Sequence, residues 1–312
     1  MCFITPPCYG FYQLIWAPPL KLQQNKFALL LLLLLHNLKE MLMLNIHSLF
    51  TTLRRVFSVA LAVGVASPVF AATTTPLKQD DFVGISFWII SMALVASTVF
   101  FFLERDRVAA KWKTSLTVSG LVTLVAAVHY LYMRDVWVLT GSTPTVFRYI
   151  DWLITVPLLM IEFYLILSAI TKVPSGVFWR LMIGTLVMLV GGYLGEAGYM
   201  AVWPAFIIGM AGWAYILYEI FFGQAGKINA QLAPPAVQSA FNSMRWIVTI
   251  GWAIYPVGYF FGYLTGASPE TSANALNIIY NAADVLNKIA FGLIIWSVAV
   301  SESETMPLKK VI

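Results

Sequence analysis

Seven apolar runs, each about 20 residues long, follow one another between residues 82 and 300 of this 312-residue chain. They lie near Phe82–Leu103, Thr114–Met133, Val146–Leu167, Val177–Gly195, Ala201–Phe222, Asn242–Leu264 and Ala275–Val300. A helix rises about 1.5 Å per residue, so each run can cross a hydrocarbon core of about 30 Å. A soluble fold is excluded by charge, since 11% of the residues are charged and 60% apolar, against about 25% charged in ordinary soluble domains. Lipid offers the backbone no hydrogen-bond partner, so runs of this kind must be helical. Short polar or Gly/Pro-containing turns then make sequence neighbours antiparallel neighbours in space. The expected fold is an all-α membrane protein, a seven-transmembrane-helix bundle occupying residues 72–312.

Residues 1–71 read differently. Arg54 and Arg55, the apolar run Val56–Ala66 and the A-x-A-like Val69-Phe70-Ala71 form a cleavable signal peptide over residues 43–71. The earlier run Leu29–Leu35 is too short to span. Residues 1–42 read as an over-extended start, with Met41 or Met43 as the true one, or as a genuine extension. Cys2 and Cys8 are the only cysteines, so neither a disulfide framework nor a cysteine metal site can hold the main body.

Basic residues set the orientation. With the mature N-terminus outside, the inner side holds Arg105, Arg107, Lys111, Lys113, Lys172, Arg180, Lys227, Arg245, Lys309 and Lys310, and the outer side only Lys78 and Arg134. That asymmetry follows the positive-inside rule and puts the C-terminus in the cytoplasm of a bacterial-type inner membrane. The scattered positive charge, +5 net, does not point to nucleic acid.

Ionisable groups within a bilayer cost about 2.5–3.5 kcal/mol each on insertion scales, so they are functional candidates. Here they are Arg148, Asp151 and Glu162 on the third span, and Asp284 and Lys288 on the seventh. Lys288 lies near the middle of its span, where an amine must be paired, neutralised or covalently modified, and where it can condense with an aldehyde. Asp284, four residues earlier, shares its face about one turn outward. Asp151 and Glu162, 11 residues apart, face the same side about 16.5 Å apart along the axis, with Thr155 between them. A mid-membrane lysine with a carboxylate above and another below is the layout of a proton relay. Charged residues in membrane helices also serve as structural ion pairs, but five aligned on two helices point to function.

The run Arg148-Tyr149-Ile150-Asp151-Trp152-Leu153-Ile154-Thr155-Val156-Pro157-Leu158-Leu159, with Glu162-Phe163-Tyr164-Leu165, resembles the third helix of proteorhodopsins, light-driven proton pumps among the microbial rhodopsins. Asp284-Val285-Leu286-Asn287-Lys288-Ile289-Ala290-Phe291-Gly292 is similar to their retinal-binding helix. The likeness covers about Phe82 to Val300, including Phe101-Phe102-Leu103-Glu104-Arg105-Asp106-Arg107, Trp203-Pro204-Ala205-Phe206 and Trp252-Ala253-Ile254-Tyr255-Pro256. The resemblance implies that Lys288 carries all-trans retinal as a protonated Schiff base. It makes Asp151 the proton acceptor, Asp284 with Arg148 the remaining counterion, Thr155 part of the relay and Glu162 the cytoplasmic proton donor.

It also implies that Trp152, Trp252, Tyr255, Pro256 and Tyr259 line the polyene, although such an aromatic stripe by itself is usually bundle core or interface belt. His129 would hydrogen-bond Asp151 and tune its proton affinity, and would meet Trp88 of a neighbouring copy in a ring-shaped homo-oligomer. Leu159 falls at the family's tuning position, where leucine accompanies green absorption and glutamine blue. Phe206 stands where related pumps with a carotenoid antenna have glycine. The cluster Gly191, Gly192, Gly195 and Gly198 follows no strand and suggests close helix packing, not phosphate binding. Glu196, at an outer turn, is expected to be solvated. No metal site is expected. The leading reading is an outward light-driven proton pump and not an enzyme. The alternatives are a photosensory rhodopsin signalling through a partner, which has no need of Glu162, and a proton-coupled carrier without chromophore.

Overall fold

The computed structural model describes residues 76–265 and 269–305. The expected extension and signal peptide lie outside the described residues. Seven helical crossings are long and apolar enough to span a membrane, and the described residues contain no β-strand. The crossings comprise α1 (Phe82–Glu104), α2 (Lys113–Thr140), α3 (Thr145–Ser168), α4 (Ser175–Glu196), α5 (Val202–Phe221) with α6 (Gln224–Leu232), α7 (Pro235–Trp246) with α8 (Trp252–Tyr259), and α9 (Pro269–Glu304). Helices that follow one another pack together, and α9 closes the bundle against α1, α2, α3 and the sixth crossing. Arg105, Lys111, Lys113, Arg180 and Arg245 therefore share one end, the basic end.

Local chemistry sets the helix ends. Asp81 caps α1, its carboxylate accepting the Gly84 N–H at 2.8 Å and the Trp137 indole N–H at 3.0 Å. α2 runs past Met133, where hydropathy would end it. Arg134 is buried, pairs with Asp135 at 3.1 Å and lies 5.6 Å over the Trp88 ring, so its charge does not force an exit from the helix. Gly141, at φ 67°, ends α2 in the left-handed conformation that glycine adopts freely. Beyond Phe222, where the sequence suggests a turn, the fifth crossing continues as α6 because buried Glu219 accepts the Ala225 N–H at 3.0 Å while held by Arg180 at 2.6 Å.

α4 and α5 meet almost backbone to backbone. A Cβ on Gly212 would lie 2.5 Å from the Met188 nitrogen and one on Gly191 2.9 Å from the Gly209 nitrogen, so glycine is required at both. The sixth crossing starts at Pro235, a residue suited to a first helical turn, well before the expected Asn242. Its helix widens into π turns at Ile247–Gly251 and Phe260–Leu264. In the first of these, Trp213 Nε1 donates to the Val248 carbonyl at 2.9 Å and Asn287 Nδ2 to the Gly251 carbonyl at 3.0 Å. Neighbouring crossings thus supply partners at the break, as a membrane interior demands.

Candidate functional site

α3 and α9 carry the charged groups, and packing α9 against α3 brings them together. Lys288 is 2% exposed, and its Nζ lies 2.6 Å from Asp151 Oδ2 and 2.7 Å from Asp284 Oδ2. The two carboxylates differ in what else they hold. Asp284 accepts the hydroxyls of Tyr130 at 2.8 Å and Tyr255 at 2.6 Å, and the Trp152 indole N–H at 3.2 Å. Asp151 Oδ1 has no hydrogen-bond partner among the described residues. His129 Nδ1 stands 4.0 Å from it and donates instead to the Val125 carbonyl at 2.9 Å. The hydrogen bond expected between His129 and Asp151 is therefore absent, and α2 continues well past His129 instead of ending near it.

Arg148 is fully buried, held by Asn277 at 2.7 Å and Asn281 at 3.2 Å, with its guanidinium 5.3 Å over the Tyr280 ring. Its charge balances the site (two cations against Asp151 and Asp284) without touching either carboxylate. Thr155 Oγ1 donates to the Asp151 backbone carbonyl at 2.9 Å and not to its carboxylate. A buried ion pair is weak grounds for stability, but removing one partner leaves an uncompensated charge at a cost of about 3–5 kcal/mol. Toward the basic end of α3, Glu162 is also fully buried; Ser119 donates to its Oε1 at 3.0 Å, and Oε2 has no partner among the described residues.

A cavity enclosing about 800 Å³ of non-protein space, its opening included, leads from Lys288 between α3, α4, α5 and the sixth crossing. Trp152, Trp252, Tyr255, Pro256 and Tyr259 line it, joined by Leu159 and Phe206. Its charged wall groups are Lys288 and Asp284 at one end and Glu196 elsewhere on the wall. An apolar, aromatic slot ending at a buried amine has the shape for a long, flat, apolar aldehyde, a class of molecule with which an amine can condense. Among the described residues, no group of three metal-ligating side chains comes together.

Glu196 is not solvated as expected. Its carboxylate accepts three tyrosine hydroxyls, from Tyr149 at 2.8 Å, Tyr263 at 3.0 Å and Tyr280 at 3.3 Å. Sequence reasoning also passed over Tyr130, Ser119, Asn277 and Asn281. A signal was there for the asparagines: Asn277, Asn281, Asp284 and Lys288 recur every three or four residues, a polar stripe down one face of α9.

The profile of the Bacteriorhodopsin-like protein family matches residues 81–302. The chain is 63% identical over 239 residues to the green-light absorbing proteorhodopsin of Gamma-proteobacterium EBAC31A08, covering 77% of this chain and 95% of that one. Among solved structures, a blue light-absorbing proteorhodopsin from Med12 aligns at a TM-score of 0.63 and 57% identity, over 71% of this chain and all of its own. Xanthorhodopsin, described as a light-driven ion pump with dual chromophore, aligns at a TM-score of 0.62 and 28% identity, over 71% of this chain and 93% of its own. Seven crossings, a lysine paired with two carboxylates at the end of an apolar cavity, and a match spanning those crossings agree on one origin, and the chain belongs to the bacteriorhodopsin-like protein family.

Proposed function

We propose that the chain is a light-driven outward proton pump that holds all-trans retinal covalently at Lys288. The observation that carries this reading is the setting of Lys288 Nζ, between Asp151 and Asp284 at the end of an apolar cavity. Identity to proteorhodopsins over most of the chain supports it. Retinal, when bound, supplies the absorption of visible light and the change of shape that follows. The protein's residues then direct the proton. Asp284 has its oxygens committed to three donors besides Lys288, whereas Asp151 has one oxygen free. Asp151 therefore accepts the proton held at Lys288 Nζ, and Asp284 remains as the fixed counter-charge. Glu162, buried toward the basic end, returns a proton to Nζ.

Placing the basic end in the cytoplasm, by the positive-inside rule, makes the net movement outward. Moving one charge against 100 mV costs about 2.3 kcal/mol, well within the energy of a visible photon. The same reading puts Trp88 and His129 at contacts between copies in a ring-shaped homo-oligomer. Illumination of unbuffered cells that express the chain with added retinal tests the function. The expected result is an acidification of the medium that a protonophore abolishes; a medium that stays neutral or turns alkaline overturns the reading.

A further inference from the structure

Glu196 and Asp284 stand at two ends of one aromatic cluster. Asp284 accepts from Tyr130, Trp152 and Tyr255, and Glu196 from Tyr149, Tyr263 and Tyr280. Between the carboxylates the rings are in contact. Trp152 meets Tyr149 edge-on with centroids 5.0 Å apart, Tyr280 at 5.3 Å and Tyr255 at 5.2 Å. Tyr255 and Tyr280 complete the ring of contacts at 5.8 Å. The three tyrosines on Glu196 come from α3, the second π turn of the sixth crossing, and α9, while Glu196 ends α4. Four crossings are thus tied through one side chain that the proton path does not use. A carboxylate in the wall of an apolar cavity is costly, and apolar packing would hold helices together as well.

We propose that Glu196 is a positioning residue for the Lys288 site, acting through Tyr149, Tyr280 and Trp152 on the hydrogen bonding of Asp284. Edge-to-face ring pairs have preferred tilts, so fixing the Tyr149 and Tyr280 hydroxyls fixes the plane of the indole packed against both rings. That plane aims the Trp152 N–H at Asp284, whose Oδ2 pairs with Lys288. The inference rests on Lys288 being the attachment point of retinal.

The test uses the full chain with retinal bound, and reads the absorption maximum, the midpoint of the acid-induced red shift that reports protonation of Asp151, and the thermal unfolding midpoint. The charged or titratable groups facing Asp151 are Lys288, Asp284, His129 and Tyr255. Those facing Glu196 are Tyr149, Tyr259, Tyr263 and Tyr280, with Arg148 over the Tyr280 ring. Glu196→Ala is expected to shift the absorption maximum and to move the acid midpoint by about half a pH unit, a modest change in the field at Asp151. The double variant Tyr149→Phe with Tyr280→Phe should reproduce both shifts, and adding Glu196→Ala to it should not enlarge them. Glu196→Asp should restore part of the parent behaviour. Glu219→Gln, which breaks the buried pair with Arg180 away from the cavity, should lower the unfolding midpoint and leave the colour unchanged. If Glu196→Ala fails to fold, the tyrosine double variant reads the same link. A fall in unfolding midpoint with absorption and acid midpoint unmoved, or no change in any readout, overturns the proposal. A parent that forms no pigment overturns the reading of Lys288 itself.

Discussion

Asn287, the residue before Lys288, donates its side-chain amide to the Gly251 carbonyl at 3.0 Å, in the π turn of the sixth crossing. It also lies 3.3 Å from the Tyr255 hydroxyl that donates to Asp284. A Cβ on Gly251 would overlap the Asn287 carboxamide oxygen, so these two positions are matched in both shape and hydrogen bonding. Asn287→Ala should destabilise the protein by about 0.5–1.5 kcal/mol, the net worth of one hydrogen bond. Gly251→Ala should cost more, through overpacking. Because Asn287→Ala makes room for the new methyl group, the double variant should be less destabilised than the sum of the two. Thermal unfolding in detergent checks this, and additive losses would show that the contact is not made.

The lysine and its two relay carboxylates should fail in three different ways. Lys288→Ala should form no coloured pigment with retinal, because among the described residues no other lysine is buried. Asp151→Asn should form a red-shifted pigment that pumps about 100-fold more slowly or not at all, since one of the two counter-charges and the acceptor go together. Glu162→Gln should leave the colour close to that of the parent and slow the return of the proton to Lys288 Nζ by about 100-fold. Visible spectra and flash photolysis separate the three. Equal pumping by parent, Asp151→Asn and Glu162→Gln would exclude the relay.

How much of this was legible in the chain depends on what each residue's signal costs. The seven crossings were readable because lipid tolerates little except apolar helix. Asp151, Glu162, Asp284 and Lys288 stood out because charge in that setting is expensive. Arg134 misled the reading of α2, because its burial beside Asp135 and Trp88 depends on a neighbouring crossing. Glu196 was misread for a similar reason. An acid in the last turn of a helix is normally solvated, and its three tyrosine donors lie 47, 67 and 84 positions away. Helical spacing relates residues a turn apart, so it revealed the α9 face but could not reveal hydroxyls converging from separate crossings.

Phe206 bears on whether a second pigment can pass light energy to retinal. It lines the cavity, and its ring meets Tyr259 with centroids 5.4 Å apart, so that part of the α5 wall is filled. The parent pigment with an added ketocarotenoid should show no carotenoid bands in the excitation spectrum for retinal-driven pumping. Phe206→Gly removes the ring and should open the wall beside Tyr259, allowing such bands to appear. Carotenoid bands in the parent's excitation spectrum would show that Phe206 does not close the approach.

We predict that Leu159 sets the colour by what it lacks. It is buried and lines the cavity, so it faces the slot and not the lipid. Eight residues after Asp151, it is turned about 80° from the relay face, beside the proton path and not on it. A leucine offers no dipole to stabilise positive charge near Lys288 Nζ in the ground state. A glutamine there would supply one, and would stabilise the excited state less because its positive charge has moved toward the far end of the polyene. The gap between the two states should therefore widen. With Asp151 ionised at alkaline pH, the parent should absorb green light and Leu159→Gln should absorb to the blue of it. Acid should shift both to the red as Asp151 gains its proton and one of the two counter-charges is lost. Glutamine is close to leucine in size, so the shift should come without loss of pigment or of pumping. Spectra of the two proteins at alkaline pH are the check, and coincident maxima would assign Leu159 to packing alone.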